Sequence, residues 1–263
     1  MAVLLVLGLY LAFQRIAPLL HGSNCTAAGG GQQITLGAGQ AGIAATIAGV
    51  AQRDALPVQA VTVAYAAALQ ESKLQNLPYG DRDSVGVFQQ RPSQGWGKRS
   101  QLENPVYATS KFFGALARVP GYQRMPVYQA AQAVQRSADG LAYQRFQPMA
   151  AHMAAAFTGQ DPHAVWCWYT PTISGTARVA AARLELAATF GPQVIRATAD
   201  PGLIVQVANA RQGWTVATWL VAHAQQYRID DVRYADYQWT AAHGAQGWAR
   251  TVSPAPPGYV ELG

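Results

Sequence analysis

Glutamate is scarce in this chain of 263 residues, and the position of one glutamate suits acid catalysis. The four are Glu71, Glu103, Glu185 and Glu261. Apolar residues recur at helical spacing over residues 57–73, and Glu71 lies in the last turn of this predicted helix. The negative end of the helix dipole and an apolar surround both disfavour a charged carboxylate. We expect a raised pKa for Glu71, as a general acid needs, although a glutamate at a helix end is by itself more often simply solvated.

Glu71 also begins a longer pattern. Ser72 follows it directly, and the segment Gly86-Val87-Phe88-Gln89 places its glutamine eighteen residues after Glu71. This pattern resembles the lysozyme-like superfamily of lytic transglycosylases and goose-type lysozymes, in which a Glu-Ser pair ends the catalytic helix and a Gly-Leu-Met-Gln-type segment follows at the same interval. The resemblance covers roughly residues 41–160. It implies a lysozyme-like helical domain. With the small α+β C-terminal domain that the patterns of residues 198–263 predict, the expected fold class is mainly α.

The resemblance also implies roles for these residues. Glu71 would be the sole general acid/base, which protonates the β-1,4 oxygen between N-acetylmuramic acid and N-acetylglucosamine of peptidoglycan. Ser72 would help to hold the sugar. The floor of the cleft would be lined by Gly86, Val87, Phe88 and Gln89. No cofactor is expected.

Further candidates lie in residues 75–101, which are rich in Gly, Pro, Asp, Ser and Gln and predict a long loop. A loop of this length in a compact domain is usually functional. Tyr79, Gln90 and Trp96 could stack on or hydrogen-bond to a sugar there. Packing of the loop against the helices explains the two aromatic residues equally well.

One feature departs from the family. Lytic transglycosylases carry an Ala-Tyr-Asn segment on a later helix, and the counterpart that we assign here is Ala133-Val134-Gln135. With no second carboxylate, attack by the muramic acid O6 hydroxyl would give an anhydro product. If Asp81 or Asp83 positions a water, the enzyme would be an inverting muramidase. An ordinary turn with an internal ion pair explains these two aspartates as well.

Two other functions compete with peptidoglycan cleavage. The altered Ala133-Val134-Gln135 segment favours a non-catalytic wall-binding or assembly module, whereas Glu71 at the family spacing argues against it. Over nearly its whole length the chain also resembles a group of exported actinobacterial proteins often named heavy-metal transporters. One apolar segment and no cluster of metal-ligating residues do not support transport.

The composition limits the partners. Nineteen Lys and Arg against thirteen Asp and Glu give a formal charge of +6, and charged residues are only 12% of the chain. The basic residues are scattered, so we expect no nucleic-acid binding and instead a diffuse attraction to an anionic wall. Neither cysteine has a second Cys or a His at ligand spacing, so no zinc site is predicted.

The N-terminus indicates export. Residues 1–20 are mostly apolar and predict a signal anchor that attaches the protein to the membrane, a cleaved signal peptide or, least favoured, a buried cytosolic helix. The chain has two cysteines, Cys25 and Cys167. A disulfide between them fits an extracytoplasmic location, membrane-anchored or secreted, whereas two buried thiols are the alternative.

The chain divides into five parts by composition. Residues 1–20 are the signal segment, 21–40 a Gly/Ala/Gln/Thr-rich linker, 41–170 the lysozyme-like domain, 171–197 a connecting helix and 198–263 a small α+β module. Helical patterns cover residues 41–53, 57–73, 104–118, 127–137, 141–158, 175–190 and 214–227. A strand is predicted at 203–207 and a hairpin at 231–239. No partner is evident for the C-terminal module.

Overall fold

The computed structural model describes residues 22–137, 140–192, 195–197 and 203–262. The predicted signal segment, residues 1–20, lies outside this range. Within the described ranges, no helix combines the length and the apolar character needed to cross a membrane.

The prediction of a mainly α fold is wrong. Of the described residues, about 48% are helical and 16% lie in strands, so the protein is mixed α/β. The strands form two antiparallel sheets, one of three strands and one of six. The three-stranded sheet was missed because its first two strands come from the segment predicted as a linker.

This N-terminal segment is a β-hairpin. Strands β1 (Asn24–Gly29) and β2 (Gln32–Gly37) pair with each other, and β1 also pairs with β3 (Val165–Trp168) on its other side. Small residues of β1 are buried although they show no apolar alternation. The hairpin therefore depends on a partner strand far along the chain, which local composition does not reveal.

A disulfide fastens this sheet. Cys25 of β1 and Cys167 of β3 face each other in the register of the two strands and are bonded to each other. The predicted disulfide is confirmed. It closes a loop with a sequence separation of 142 residues.

The helical part surrounds one central helix. Its helices are α1 (Ala38–Arg53), α2 (Val58–Ser72), α3 (Arg99–Leu102), α4 (Pro105–Leu116), α5 (Val127–Gln135) and α6 (Gln147–Phe157). Helix α2 is buried on all sides from Ala60 to Leu69, as expected of a helix that is apolar all round. The Tyr65 hydroxyl donates to the Ala44 carbonyl of α1 at 2.7 Å, and its ring meets Phe157 of α6 edge to face. Helix α2 thereby holds Glu71 on a rigid support.

The C-terminal part contains the six-stranded sheet. Its elements are α7 (Val179–Phe190), β4 (Ile195–Ala197), β5 (Leu203–Gln206), α8 (Ala210–Ala222), α9 (Ala224–Tyr227), β6 (Asp231–Tyr234), β7 (Tyr237–Thr240), β8 (Ala249–Arg250) and β9 (Tyr259–Leu262). The strand order is β4-β5-β9-β6-β7-β8. The predicted strand at 203–207 and the hairpin at 231–239 correspond to β5 and to β6 with β7.

The C-terminal part is bonded directly to β3. The indole N–H of Trp239 donates to the Cys167 carbonyl at 3.0 Å, and that of Trp248 donates to the Val165 carbonyl at 2.7 Å. The Tyr169 hydroxyl donates to the Val221 carbonyl at 2.5 Å. Strand β3 therefore joins the N-terminal hairpin to the C-terminal part.

Candidate active site

The end of helix α2 fixes the position of Glu71. Lys73 and Leu74 both adopt the left-handed conformation, with φ of 54° and 59°. The Leu74 N–H bonds back to the Ala68 carbonyl at 3.1 Å, and the Leu74 side chain is fully buried. This is a Schellman-type ending, in which an apolar anchor compensates for a conformation that non-glycine residues rarely adopt. The chain therefore turns sharply immediately after Glu71 and Ser72.

The Glu71 carboxyl group is half-buried and held by two side chains. Burial raises its pKa, as predicted, while hydrogen bonds from Tyr143 and Gln135 stabilise the ionised form and act in the opposite direction. The Tyr143 hydroxyl donates to Glu71 Oε1 at 2.7 Å. The Gln135 amide also donates to the Phe88 carbonyl at 2.8 Å, so the group that contacts Glu71 is itself fixed.

Sequence reasoning missed Tyr143. The sequence assigns Ala133-Val134-Gln135 as the counterpart of the family's Ala-Tyr-Asn, whereas in the structure the two side chains that contact Glu71 come from two separate places. Gln135, the last residue of α5, supplies the amide, and Tyr143 supplies the hydroxyl from the turn before α6. The signal that could have found Tyr143 is the segment Ala142-Tyr143-Gln144, which keeps the Ala-Tyr pair followed by an amide.

Ser72 joins the two halves of the sequence pattern. Its side chain is buried, and its hydroxyl donates to the Val87 carbonyl at 2.7 Å. The same oxygen accepts from the Gln75 N–H at 3.2 Å. Ser72 thus connects the end of α2 to the segment 86–89, and the contact with sugar that the resemblance implies stays a prediction.

Gly86 is required by its surroundings. Its φ is +78°, and a Cβ built there would lie 2.3 Å from the Leu102 carbonyl oxygen. Its N–H donates to the Leu77 carbonyl at 2.7 Å. No side chain can be accommodated at this position without moving the backbone of α3.

The neighbours of Gly86 are mostly buried. Val87 and Phe88 are fully buried, and the Phe88 ring stacks on Phe112 of α4 at 4.5 Å between centroids. Gln90 is buried as well, with its amide donating to the Ala108 carbonyl at 3.2 Å. The side chains of Val87, Phe88 and Gln90 therefore pack in the interior, beneath the surface of the site. Gln89, with φ of 47°, bonds to the carbonyls of Tyr79 and Gly86, each at 3.2 Å.

The two aromatic candidates lie in different surroundings. Tyr79 is 68% exposed. Trp96 is half-buried and lines a groove of about 990 Å³ that Gln135 also lines. Because Gln135 hydrogen-bonds to Glu71, the groove ends within one side chain of the carboxyl group.

The two aspartates differ in their contacts. Asp83 accepts from Arg91 Nε at 2.8 Å and from the Ser93 N–H at 2.7 Å, and these bonds hold its pKa far below the usual value. Asp81 is almost fully exposed and lies 3.9 Å from Arg82. Asp81 thus makes the expected ion pair inside the turn, with Arg82, whereas Asp83 pairs outside it, with Arg91. Asp83 thus fixes the loop by its hydrogen bonds to Ser93.

No protein-family model matches the chain, and no curated protein matches it either. In the ranges that the structure describes, no group of three or more His, Cys, Asp or Glu side chains could hold a metal ion. The chemistry of the site therefore has to be inferred from Glu71, Tyr143 and Gln135. A half-buried carboxylic acid with a raised pKa, held by the hydroxyl of Tyr143 and by the amide of Gln135, which also lines the groove, can donate a proton and take one back.

Proposed function

We propose that this protein is a peptidoglycan-cleaving glycosidase that acts on the β-1,4 bond between N-acetylmuramic acid and N-acetylglucosamine, with Glu71 as general acid/base. The observation that carries the proposal is the half-buried Glu71 carboxyl group, whose pKa is raised by burial and which is held by Tyr143 and Gln135. The family resemblance of the Glu71-Ser72 and Gly86–Gln89 pattern supplies the substrate class.

The reaction divides into two proton transfers at one carboxyl group. Glu71 first donates its proton to the glycosidic oxygen as the bond from that oxygen to C1 of muramic acid breaks. The resulting carboxylate then accepts a proton from the O6 hydroxyl of the same muramic residue as O6 bonds to C1. Glu71 is protonated again at the end, and the product carries a 1,6-anhydro ring. Tyr143 and Gln135 orient the carboxylate between the two steps.

The aspartates support this intramolecular route over attack by water. An inverting muramidase needs a second carboxylate that is free to take a proton from water. Asp83 is engaged by Arg91 and Ser93, which oppose its protonation. Asp81 projects into solvent beside Arg82.

The test uses the full-length protein on purified cell walls. We expect wild-type protein to release soluble muropeptides and Glu71→Gln to release none. Glu185→Gln is the matched control, since burial raises the pKa of Glu185 too but this residue lies on α7. Mass spectrometry of the products distinguishes an anhydro end from a reducing end, which differ by one water. No release by wild type, or equal release by Glu71→Gln, would refute the proposal.

A non-catalytic wall-binding module is the competing function. The observation that favoured it was the loss of a tyrosine from Ala133-Val134-Gln135, and Tyr143 now contacts Glu71 instead. Wall binding that persists in Glu71→Gln while wild type releases no muropeptide would select the competing function.

Export to the wall belongs to the same proposal. The disulfide between Cys25 and Cys167 is of a kind that persists in oxidising compartments. The positive net charge would favour association with an anionic wall. Retention of residues 1–20 as an anchor is tested by partition of the protein between membrane and medium fractions.

A further inference from the structure

The groove beside Glu71 has a distinctive charge. It is bounded by Trp96, by helix α4 and the residues after it, and by the end of α5, and it carries three cations: Lys111, Arg118 and Arg136. Its lining contains no aspartate or glutamate. A cleft of one sign concentrates ligands of the opposite sign.

The three cations have no acidic partner within the described part of the chain. None takes part in the ion pairs found there, in which thirteen other charged side chains do take part. Lys111 lies 5.2 Å from the centroid of the Tyr107 ring, which also lines the groove. All three side chains place positive charge on the lining of the groove.

Arg136 adds a backbone argument. It caps α5 in the left-handed conformation, with φ of 54°, where glycine or asparagine is preferred. A cationic side chain is thus present where the left-handed backbone conformation of a non-glycine residue lowers stability. This conformation is shared by Arg228 at the end of α9, which makes Arg228 a matched comparison for Arg136.

We propose that this groove binds carboxylates that hang from the muramic acid residues of the substrate strand, so that the enzyme prefers strands on which these carboxylates are charged. The inference rests on the proposed function, because the groove reaches Glu71 through Gln135. Muramic acid differs from N-acetylglucosamine by a lactyl group, which ends in a carboxylate or continues into a peptide with carboxylates of its own. Arginine forks match carboxylates in geometry, and the aromatic residues Trp96 and Tyr107 offer faces to sugar rings.

The test compares strands that differ only in charge. One pair is peptide-free glycan with lactyl carboxylates, either free or converted to N-methylamides. The other pair is uncross-linked glycan that keeps its peptides, with the peptide carboxylates free or converted in the same way. The two pairs separate the lactyl source of the carboxylate from the peptide source. Cleavage is measured as kcat/KM, and binding is measured in the Glu71→Gln background.

We expect wild-type protein to favour the charged member of at least one pair by about tenfold, as three exposed ion pairs would give. The triple variant Lys111→Gln, Arg118→Gln, Arg136→Gly should lose this preference, so that its ratio of kcat/KM for the charged strand to that for the neutral strand falls to about one. Arg228→Gly is the matched control, since Arg228 also caps a helix in the left-handed conformation but lies on α9, outside the groove lining. It should keep the preference.

The outcomes separate the two proposals. Equal cleavage of charged and neutral strands by wild type, or a preference that survives in the triple variant, overturns the groove assignment and leaves the glycosidase in place. If wild type cleaves no strand but binds charged strands through the three cations, the glycosidase proposal falls and the groove assignment stands. If it neither cleaves any strand nor discriminates charge, both fall.

Discussion

At the scale of single residues, the burial that would suit Glu71 for the proposed acid catalysis carries a cost in stability. Burial raises its pKa, so the folded protein binds the proton more tightly than the unfolded chain does. Above that pKa the buried charge opposes folding, and the penalty disappears as the pH falls to where both states are protonated. An uncharged side chain at position 71 would avoid this penalty.

Glu71→Gln should therefore lower activity and raise stability at once. We expect cleavage to fall by roughly 10²- to 10⁴-fold and the free energy of unfolding at neutral pH to rise by about 1 kcal/mol. Urea denaturation at several pH values measures the second effect, and the gain should shrink toward acid pH. A less stable Glu71→Gln protein at neutral pH would contradict the role of burial.

Tyr143→Phe should shift the pH profile. The tyrosine hydroxyl stabilises the ionised carboxylate, so its removal raises the pKa of Glu71 further. Glu71 then stays protonated to higher pH, and the alkaline limb of the plot of kcat/KM against pH should shift to higher pH. The maximal rate should drop because the Glu71 carboxyl group loses one of the two side chains that orient it by hydrogen bonds. The profile of Tyr128→Phe, a tyrosine change on helix α5, should match that of wild type. An unmoved or lowered limb in Tyr143→Phe would argue against a direct contact in solution.

The residue scale also shows how far sequence reasoning reached. The spacing of Glu71 and Gln89 is local information, and the expected direction of the Glu71 pKa shift is confirmed. Tyr143 lies seventy-two residues from Glu71 and outside any regular helix, so its contact arises only from the packing of α6 against α2. Likewise, the resemblance assigns Ser72 to the sugar and Phe88 to the floor of the cleft, and the burial of both side chains follows from tertiary packing, which the pattern does not contain.

At the scale of elements, the segment 86–89 is supported by backbone contacts. Gly86→Ala should destabilise the protein by about 1–3 kcal/mol, because the new Cβ meets the Leu102 carbonyl. Gly121→Ala is the matched control: its φ of +71° is similar, but nothing lies within 4 Å of the added Cβ. It should cost only about 1 kcal/mol from backbone strain. Thermal unfolding of both variants makes the comparison, and equal losses would show that the close approach is unimportant.

The loop before α3 gives another prediction. Asp83→Asn should keep activity within about tenfold of wild type, because Asp83 braces the loop and does not take a proton from water. The Ser93 amide should exchange its hydrogen faster in this variant. Because the pKa of Asp83 is lowered, its bracing is complete at neutral pH and is lost only in strong acid. The control Asp81→Asn should change neither property. If Asp83→Asn lost as much activity as Glu71→Gln, Asp83 would again be a candidate catalytic base.

Prediction of the elements succeeded where periodicity is strong. The helices at 57–73, 104–118 and 127–137 were found to within two residues at each end, because their apolar spacing and their Pro and Asn starts are local signals. The hairpin β1–β2 escaped because its glycines, alanines and glutamines lack alternation. Its pairing partner β3 lies about 140 residues away.

At the scale of the whole molecule, the disulfide is a long-range constraint. In the chain-entropy view, a loop of 142 residues contributes on the order of 5 kcal/mol. Reduction should therefore lower the urea midpoint markedly. Denatured, unreduced protein should show no reactive thiol, and reduced protein should show two. Two thiols before reduction would exclude the bond.

Strand β3 has a consequence for how the protein can be shortened. It is paired with β1, bonded to Cys25 and hydrogen-bonded to Trp239 and Trp248 through its carbonyls. A soluble version that starts at the first residue of α1 would strip β3 of its only neighbour in the described sheet and leave Cys167 as a lone thiol, open to cross-linking between molecules. A shortened protein that lacks the apolar residues 1–20 should therefore begin before Asn24, so that the hairpin stays with the rest.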